Sequence, residues 1–475
     1  MDGPTDPPLR LDAPREEALA RAAKLIEQAW RSFDRYRPEE PPLDERVRAL
    51  LRSALPEEPS PVDEILDDAA RILDESIAQP RPRYFAFIGS SGLEIGAIGD
   101  ALASCYDINL AVDAGAATQI ERQSVRWVAE FLGYPATAGG AFTSGGTISN
   151  MTALAAARQR ALPESRNEGM GGRRATVYCS REVHYSITRA VEILGIGSAN
   201  LRSLPIDGER RLRPDAVADA IDRDRSEGMV PVAVVASAGT TLTGAVDPIG
   251  ELADVCADRG VWLHVDGAYG LPAAATSTKG SLFGGLDRAD SCAVDLHKWL
   301  YLPKSCSVVL VRRPEDLIAA FAHQEGYLPH QRHELHAVDI TLEYSRPFRA
   351  LKAWLAFRAH GAPAFRAAIE RNLEHAQLLY DTVKAEPAFE ALGPPPQLSI
   401  VPFRHVPEGV EDANAHNWEL ARALLADGRV YVASALIDDA VYLRPCLVNF
   451  RTTQEDVMAL VEVAGEVGEK LAAKG

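Results

Sequence analysis

A lysine that closes an apolar run and stands between a histidine and an aromatic ring is equipped for imine chemistry. Lys298 fits that description, following Ser291–Val294 in Asp295-Leu296-His297-Lys298-Trp299. An imine needs the unprotonated amine, and partial burial is expected to lower the lysine pKa toward that form; a solvated surface lysine is the plain alternative. Four other segments follow apolar runs or open helices in a similar way. Thr143-Ser144-Gly145-Gly146-Thr147 precedes a predicted helix, Ile148–Arg160. Glycines and hydroxyls at a helix start can cradle a phosphate through free N–H groups and the positive helix end, or form an ordinary capped turn. His184, just past Ala175–Cys179, can stack on a planar ligand or be a satisfied loop residue. Thr240 and Thr241, past Val232–Ala236, can reach a ligand or cap a turn. Asp266 closes Val261–Val265, where a carboxylate is costly to bury without a partner. A pyridinium N–H would be such a partner, with Gly267 and Ala268 leaving room for a flat ring. A divalent cation would need a second carboxylate at metal-site spacing, which is missing here.

Positioning these residues calls for a particular architecture. From about 84 to 312, short apolar runs alternate with helical segments, the pattern of a mainly parallel sheet covered on both faces. Ligands of such sheets bind beyond the C-terminal strand ends, where the segments above fall. A helix over 118–132 carries Ile120, Trp127, Val128, Phe131 and Leu132 on one stripe. Arg346–His360 reads as a long helix leading to a smaller α/β unit. Before the main body lie Pro-rich breaks and two weakly apolar helical stretches, 15–36 and 61–78, expected to pack on another body such as a partner subunit. The expected division is an N-terminal helical segment (1–82), a large domain (83–350) and a small C-terminal domain (351–475).

The bulk composition narrows the function class. The 475 residues are 47% apolar and 25% charged, with a formal charge of -17, so a basic footprint for nucleic acid or anionic membrane is missing. No run of 18 apolar residues occurs, and the N-terminus, polar and proline-rich, lacks a hydrophobic signal region. The six cysteines form no CxxC pair and read as reduced residues, with no metal site expected. A cytoplasmic enzyme acting on a small molecule is the expectation.

Taken together, the motifs resemble those of the group II pyridoxal phosphate (PLP)-dependent amino-acid decarboxylases, across about Tyr84 to Thr453. TSGGTISNM at Thr143, GTTLTGAVDPI at Gly239, HVDGAYG at His264 and DLHKW at Asp295 carry the likeness, with RPFRALKAWLAFRAHG at Arg346 and LRPCLVNFRTT at Leu443. The resemblance implies PLP fold type I, the aspartate-aminotransferase-like α/β fold, and a homodimer. It implies that Lys298 carries pyridoxal 5'-phosphate as a Schiff base, that Asp266 pairs with the pyridine nitrogen and that His184 stacks on the ring. Gly145, Gly146, Thr147, Asp295 and His297 would surround the phosphate, and Thr241 would sit by the ring. The implied reaction releases CO2 from an L-amino acid and leaves the amine.

Several departures from the family pattern bear on the reaction. Asp295 stands where many members have asparagine, and an anion near a phosphate needs a compensating donor such as His297. SGGTISN resembles the glutamate and cysteine-sulfinate branch, whereas Trp299 resembles the aromatic branch. The loop from about Glu325 to Glu343 has no tyrosine between Leu328 and Glu343, where aromatic decarboxylases carry the tyrosine that donates the final proton. It has His330, His333 and His336 instead. Members lacking the tyrosine can act as aldehyde synthases, so an oxygen-consuming aldehyde synthase is the first alternative and a non-catalytic PLP-binding protein the second. By resemblance, Tyr84, Phe85, Phe87, Ile88 and Asn109 fall where substrate-pocket residues lie, which favours an aromatic or apolar side chain. No arginine clamp for an acidic side chain emerges.

Overall fold

The fold was described from a computed structural model, which covers residues 14–34, 44–323 and 336–473. Seven strands form one sheet: β1 (Gly139–Thr143), β2 (Ala175–Ser180), β3 (Leu201–Leu204), β4 (Val230–Ser237), β5 (Trp262–Asp266), β6 (Ser291–Val294) and β7 (Ser307–Val311). Their order is β1-β7-β6-β5-β4-β2-β3, and β7 is antiparallel to both of its neighbours. The remaining pairs are parallel. The α/β architecture with a mainly parallel sheet agrees with fold type I. β2, β4, β5, β6 and β7 match the apolar runs, because strands buried on both faces need no polar alternation. β1 and β3 escaped the sequence reading: glycines open β1, and Arg202 and Ser203 interrupt the apolar pattern of β3.

Six helices precede or open the sheet: α1 (Arg15–Phe33), α2 (Glu45–Leu50), α3 (Val62–Asp74), α4 (Glu94–Tyr106), α5 (Ala116–Leu132) and α6 (Gly146–Ala161). In α5, Val128, Phe131 and Leu132 enter the core, and Trp127 stacks on Trp354. α6 lies across β4, β6 and β7 and buries Ala153, Leu154, Ala155, Ala156 and Ala157. α1 and α3 bury no residue at all.

A helix spanning Ala350–Ala385 follows, kinked at Gly361 (φ 71°), ahead of Pro363. It leads to a second, antiparallel sheet made of β8 (Phe389–Ala391), β9 (Phe403–His405), β10 (Ser434–Ile437) and β11 (Ala440–Leu443), in the order β10-β11-β9-β8. As far as Leu373 the helix packs Phe365, Ile369 and Leu373 into the core of the large sheet, and from Ala376 on it packs Ala376, Leu379 and Val383 into the core of the small one. Arg346, just before it, forms a buried ion pair with Glu121 of α5 and donates to the carbonyl of Phe142 at 3.4 Å.

Candidate active site

The C-terminal ends of β1, β2, β4, β5 and β6 surround a cavity of about 290 Å3. Gly145, Gly146, Thr147, His184, Thr241, Asp266, Asp295, His297 and Lys298 all line it. One wall is the start of α6, where no side chain caps the first turn. The leading N–H groups of a helix have no intrahelical acceptor, so this end favours an anion. A side chain at Gly146 would stand 3.0 Å from the Asp295 carboxylate and from Ala268 Cβ, so any larger residue there crowds the cradle. Gly239 is needed for its backbone, with φ at 103° and Tyr269 close against it. Gly267, read as leaving room for a ring, does something else: a side chain there would strike Leu271, so its small size serves packing, while Ala268 faces the cavity.

Asp266 leaves the end of β5 with both oxygens engaged. Oδ2 accepts from Asn150 Nδ2 at 2.8 Å, and Oδ1 accepts from the Ala268 N–H at 3.2 Å. His184 caps the helix Tyr185–Ile193: Nδ1 accepts from the Ser186 N–H at 3.2 Å and meets its hydroxyl at 2.9 Å. Burial lowers the His184 pKa, against the opposing pull of Asp266, and so favours the neutral ring. His297 meets the carbonyl of Cys306 through Nδ1 at 2.8 Å, and burial lowers its pKa as well.

Lys298 departs from the expectation. Burial does pull its pKa down, but Asp295 at 2.8 Å, with Asp266 behind it, reverses the balance and raises it above the ordinary lysine value. The amine is thus held as an ammonium by a carboxylate three residues earlier, a contact that depends on how the turn after β6 folds. Asp295, despite its burial, is held below the usual carboxylate range by Lys298 and His297. Its second oxygen, Oδ1, is buried without a partner.

Other expected positions lie elsewhere. Phe85 is buried in the core of the small sheet, and Tyr84 stacks on Tyr431 at 4.9 Å. Phe87 is exposed at φ 54°, and Ile88 packs on the large core. Asn109 Oδ1 accepts from the N–H groups of Ala111 and Arg346. None of these five lines the cavity. His330 and His333 lie outside the described residues. His336 borders a different cavity, with Leu110, Arg122 and Ile340. Arg444, which the sequence reading passed over, is buried and donates Nη1 to the carbonyl of cavity-lining Thr241 at 3.0 Å.

The profile described as "Pyridoxal-dependent decarboxylase conserved domain" matches residues 44–406, which is most of the chain. The chain belongs to the pyridoxal-dependent decarboxylases. This decarboxylase is 34% identical to the aromatic-L-amino-acid decarboxylase of Bacillus atrophaeus, over 87% of each chain. It is also 34% identical to the L-2,4-diaminobutyrate decarboxylase of Rhizobium meliloti, over 75% of this chain and 71% of that one. Phenylacetaldehyde synthase of Arabidopsis thaliana is 28% identical over 86% of each. The crystal structure of Oryza sativa TDC with PLP and tryptamine superposes with a TM-score of 0.91 at 26% identity, covering 98% of this chain and all of that one. The decarboxylase is PLP-dependent, and its cavity suits the cofactor: an uncapped helix start with small residues, the Asp266 carboxylate and a lysine all line it.

Proposed function

We propose that this decarboxylase removes CO2 from an L-amino acid with a preference for aromatic side chains, and works as a cytoplasmic homodimer. The observation that carries the reading is the convergence of Lys298, Asp266, His184 and the Gly145–Thr147 turn on one cavity. Lys298 would carry PLP as a Schiff base, Asp266 would accept from the pyridine N–H, and His184 would lie against the ring. Gly145, Gly146, Thr147, Asp295 and His297 would surround the phosphate, and Thr241 would stand by the ring. When bound, PLP supplies an electron sink for the pair left on Cα as CO2 departs. Neutral His184 adds no positive charge to the ring face, and Asp295 Oδ2 stands ready to hold a proton on Lys298 Nζ whenever that amine is released. Arg444 holds the carbonyl of Thr241 at the cavity wall. The aromatic preference rests on likeness to a relative whose name specifies aromatic L-amino acids.

A second reading, oxidation to an aldehyde, is favoured by the absence of tyrosine between Leu328 and Glu343 and by likeness to a phenylacetaldehyde synthase. One experiment separates the two. Purified protein with PLP is given a panel of L-amino acids, with 2,4-diaminobutyrate included, and CO2, amine, aldehyde and peroxide are measured. Amine without peroxide, from an aromatic substrate, is expected; stoichiometric peroxide without amine would select the synthase. The dimer rests on α1 and α3, where Leu19 and Leu73 are 66% and 69% exposed. Sedimentation of the whole chain should give twice the monomer mass, and deletion of residues 1–78 should lower it.

A further inference from the structure

Behind the cavity, a chain of buried polar groups runs from β5 and β6 to α6. Trp262 Nε1 donates to Ser291 Oγ at 2.8 Å, and Ser291 Oγ lies 2.8 Å from His264 Nδ1. His264 Nε2 lies 2.9 Å from Asn150 Oδ1. Asn150 Nδ2 then donates to Asp266 Oδ2 at 2.8 Å and to Ser186 Oγ at 3.0 Å, and Ser186 supports His184. All five members of the main line are buried, and none has an unpaired side-chain atom.

The end groups dictate one direction for every proton in the line. The Trp262 indole can only donate, and an ionised Asp266 can only accept. Asn150 must therefore turn its NH2 to Asp266 and its carbonyl to His264. His264 must then carry its proton on Nε2, which leaves Nδ1 to accept from the Ser291 hydroxyl, and Ser291 accepts from Trp262. A second proton on His264 would break this order. Burial keeps that proton off, lowering the His264 pKa to about 4. Hydrogen bonds that all point one way polarise one another, and in a dry interior the line is worth more than its separate links.

We propose that Asn150 and His264 are positioning residues, which aim the Asp266 carboxylate at the cofactor's ring nitrogen and, through Ser186, hold the His184 ring at the same site. The inference rests on the reading that Asp266 partners that nitrogen. Asn150 is the branch point, and its two N–H bonds tie the carboxylate and the ring support into one unit. The group behind a ligating residue fixes its orientation, and removing such a group at metal sites costs about 10–100-fold in affinity.

The test compares Asn150→Asp, His264→Phe, His264→Gln and Asp266→Ala as whole apoproteins, with folding checked by circular dichroism. Two quantities are read: the dissociation constant for PLP, and the 15N shift of ring-labelled PLP. Asn150→Asp sets one carboxylate against another, so PLP binding should weaken by about 10–100-fold and the ring nitrogen should move toward the unprotonated shift. His264→Phe should act in the same direction. His264→Gln, which puts an N–H in place of Nε2–H, should restore most of both signals. If His264→Phe fails to fold, Asn150→Asp, which conserves shape and volume, decides alone. A folded Asn150→Asp variant with unchanged PLP affinity and ring shift, beside an Asp266→Ala variant that alters both, would overturn the relay alone. An Asp266→Ala variant with an unchanged ring shift would overturn the reading of Asp266 and the relay with it.

Discussion

Replacing Asp295 with asparagine should make this decarboxylase capture PLP faster and at lower pH. The Asp295–Lys298 contact is 2.8 Å, and at an effective dielectric constant of about 20 the attraction is roughly 332/(20 × 2.8), or about 6 kcal/mol before desolvation is subtracted. Each ~1.4 kcal/mol of that attraction retained after desolvation holds back the neutral amine tenfold. If only a quarter survives, Asp295→Asn frees about ten times more reactive Lys298 at a given pH. The sign follows from the raised Lys298 pKa: the neutral fraction grows as pH rises toward it, so the acid limb of the capture profile moves to lower pH when Asp295 is gone. The same change removes an unpartnered carboxylate oxygen beside the helix start that would take the phosphate, which pushes affinity the same way. Mixing apoprotein with PLP in a stopped-flow spectrometer across a pH series reads both rate and amplitude. An unchanged or slower capture in Asp295→Asn, with the acid limb where it was, would refute the reasoning.

The other expectations are simpler. Lys298→Ala should abolish the cofactor's visible absorbance and nearly all CO2 release, and retention of both would rule out this lysine. Gly146→Ala brings a methyl within 3.0 Å of Asp295 and Ala268; overpacking on this scale costs about 1–3 kcal/mol, seen as PLP binding weaker by about tenfold in an absorbance titration. Arg346→Met leaves the buried Glu121 without its cation, at about 3–5 kcal/mol, and should lower the denaturant midpoint while restoring part of it when combined with Glu121→Leu.

The ends of β2, β4, β5 and β6 were legible because strands buried on both faces leave unbroken apolar runs, with His184, Thr241, Asp266 and Lys298 soon after them. The Gly145–Thr147 turn was legible from its glycines and hydroxyls, not from β1. The residues behind them were legible in part. His264 and Asp266 are two apart on one strand, and period two puts them on the same face of the sheet. Asn150 is four residues past Gly146, on the same face of α6. Both signals were present in the motifs, but each residue looked like a family marker and not like a partner for another segment. The protonation of Lys298 was not legible, since the order of Asp295 and Lys298 in the chain does not say that a turn folds one onto the other. Arg346 and Glu121 are 225 residues apart, and no local pattern announces such a pair. Tyr84 to Ile88 read as pocket residues because aromatic side chains suit a substrate wall and a core equally well. The backbone draws the segment onto the small sheet: the Phe85 N–H donates to Tyr431, and its carbonyl accepts from Cys446.

The helix Ala350–Ala385 passes from one core to the other between Leu373 and Ala376, beyond the kink and without a break. That makes it a shared strut. The four short strands of the small sheet would lose one wall of their interior if the helix melted, and the large sheet would lose another. Heating should therefore take the two cores down in one calorimetric transition, with the helix amides, in hydrogen exchange, opening together across the Leu373–Ala376 boundary.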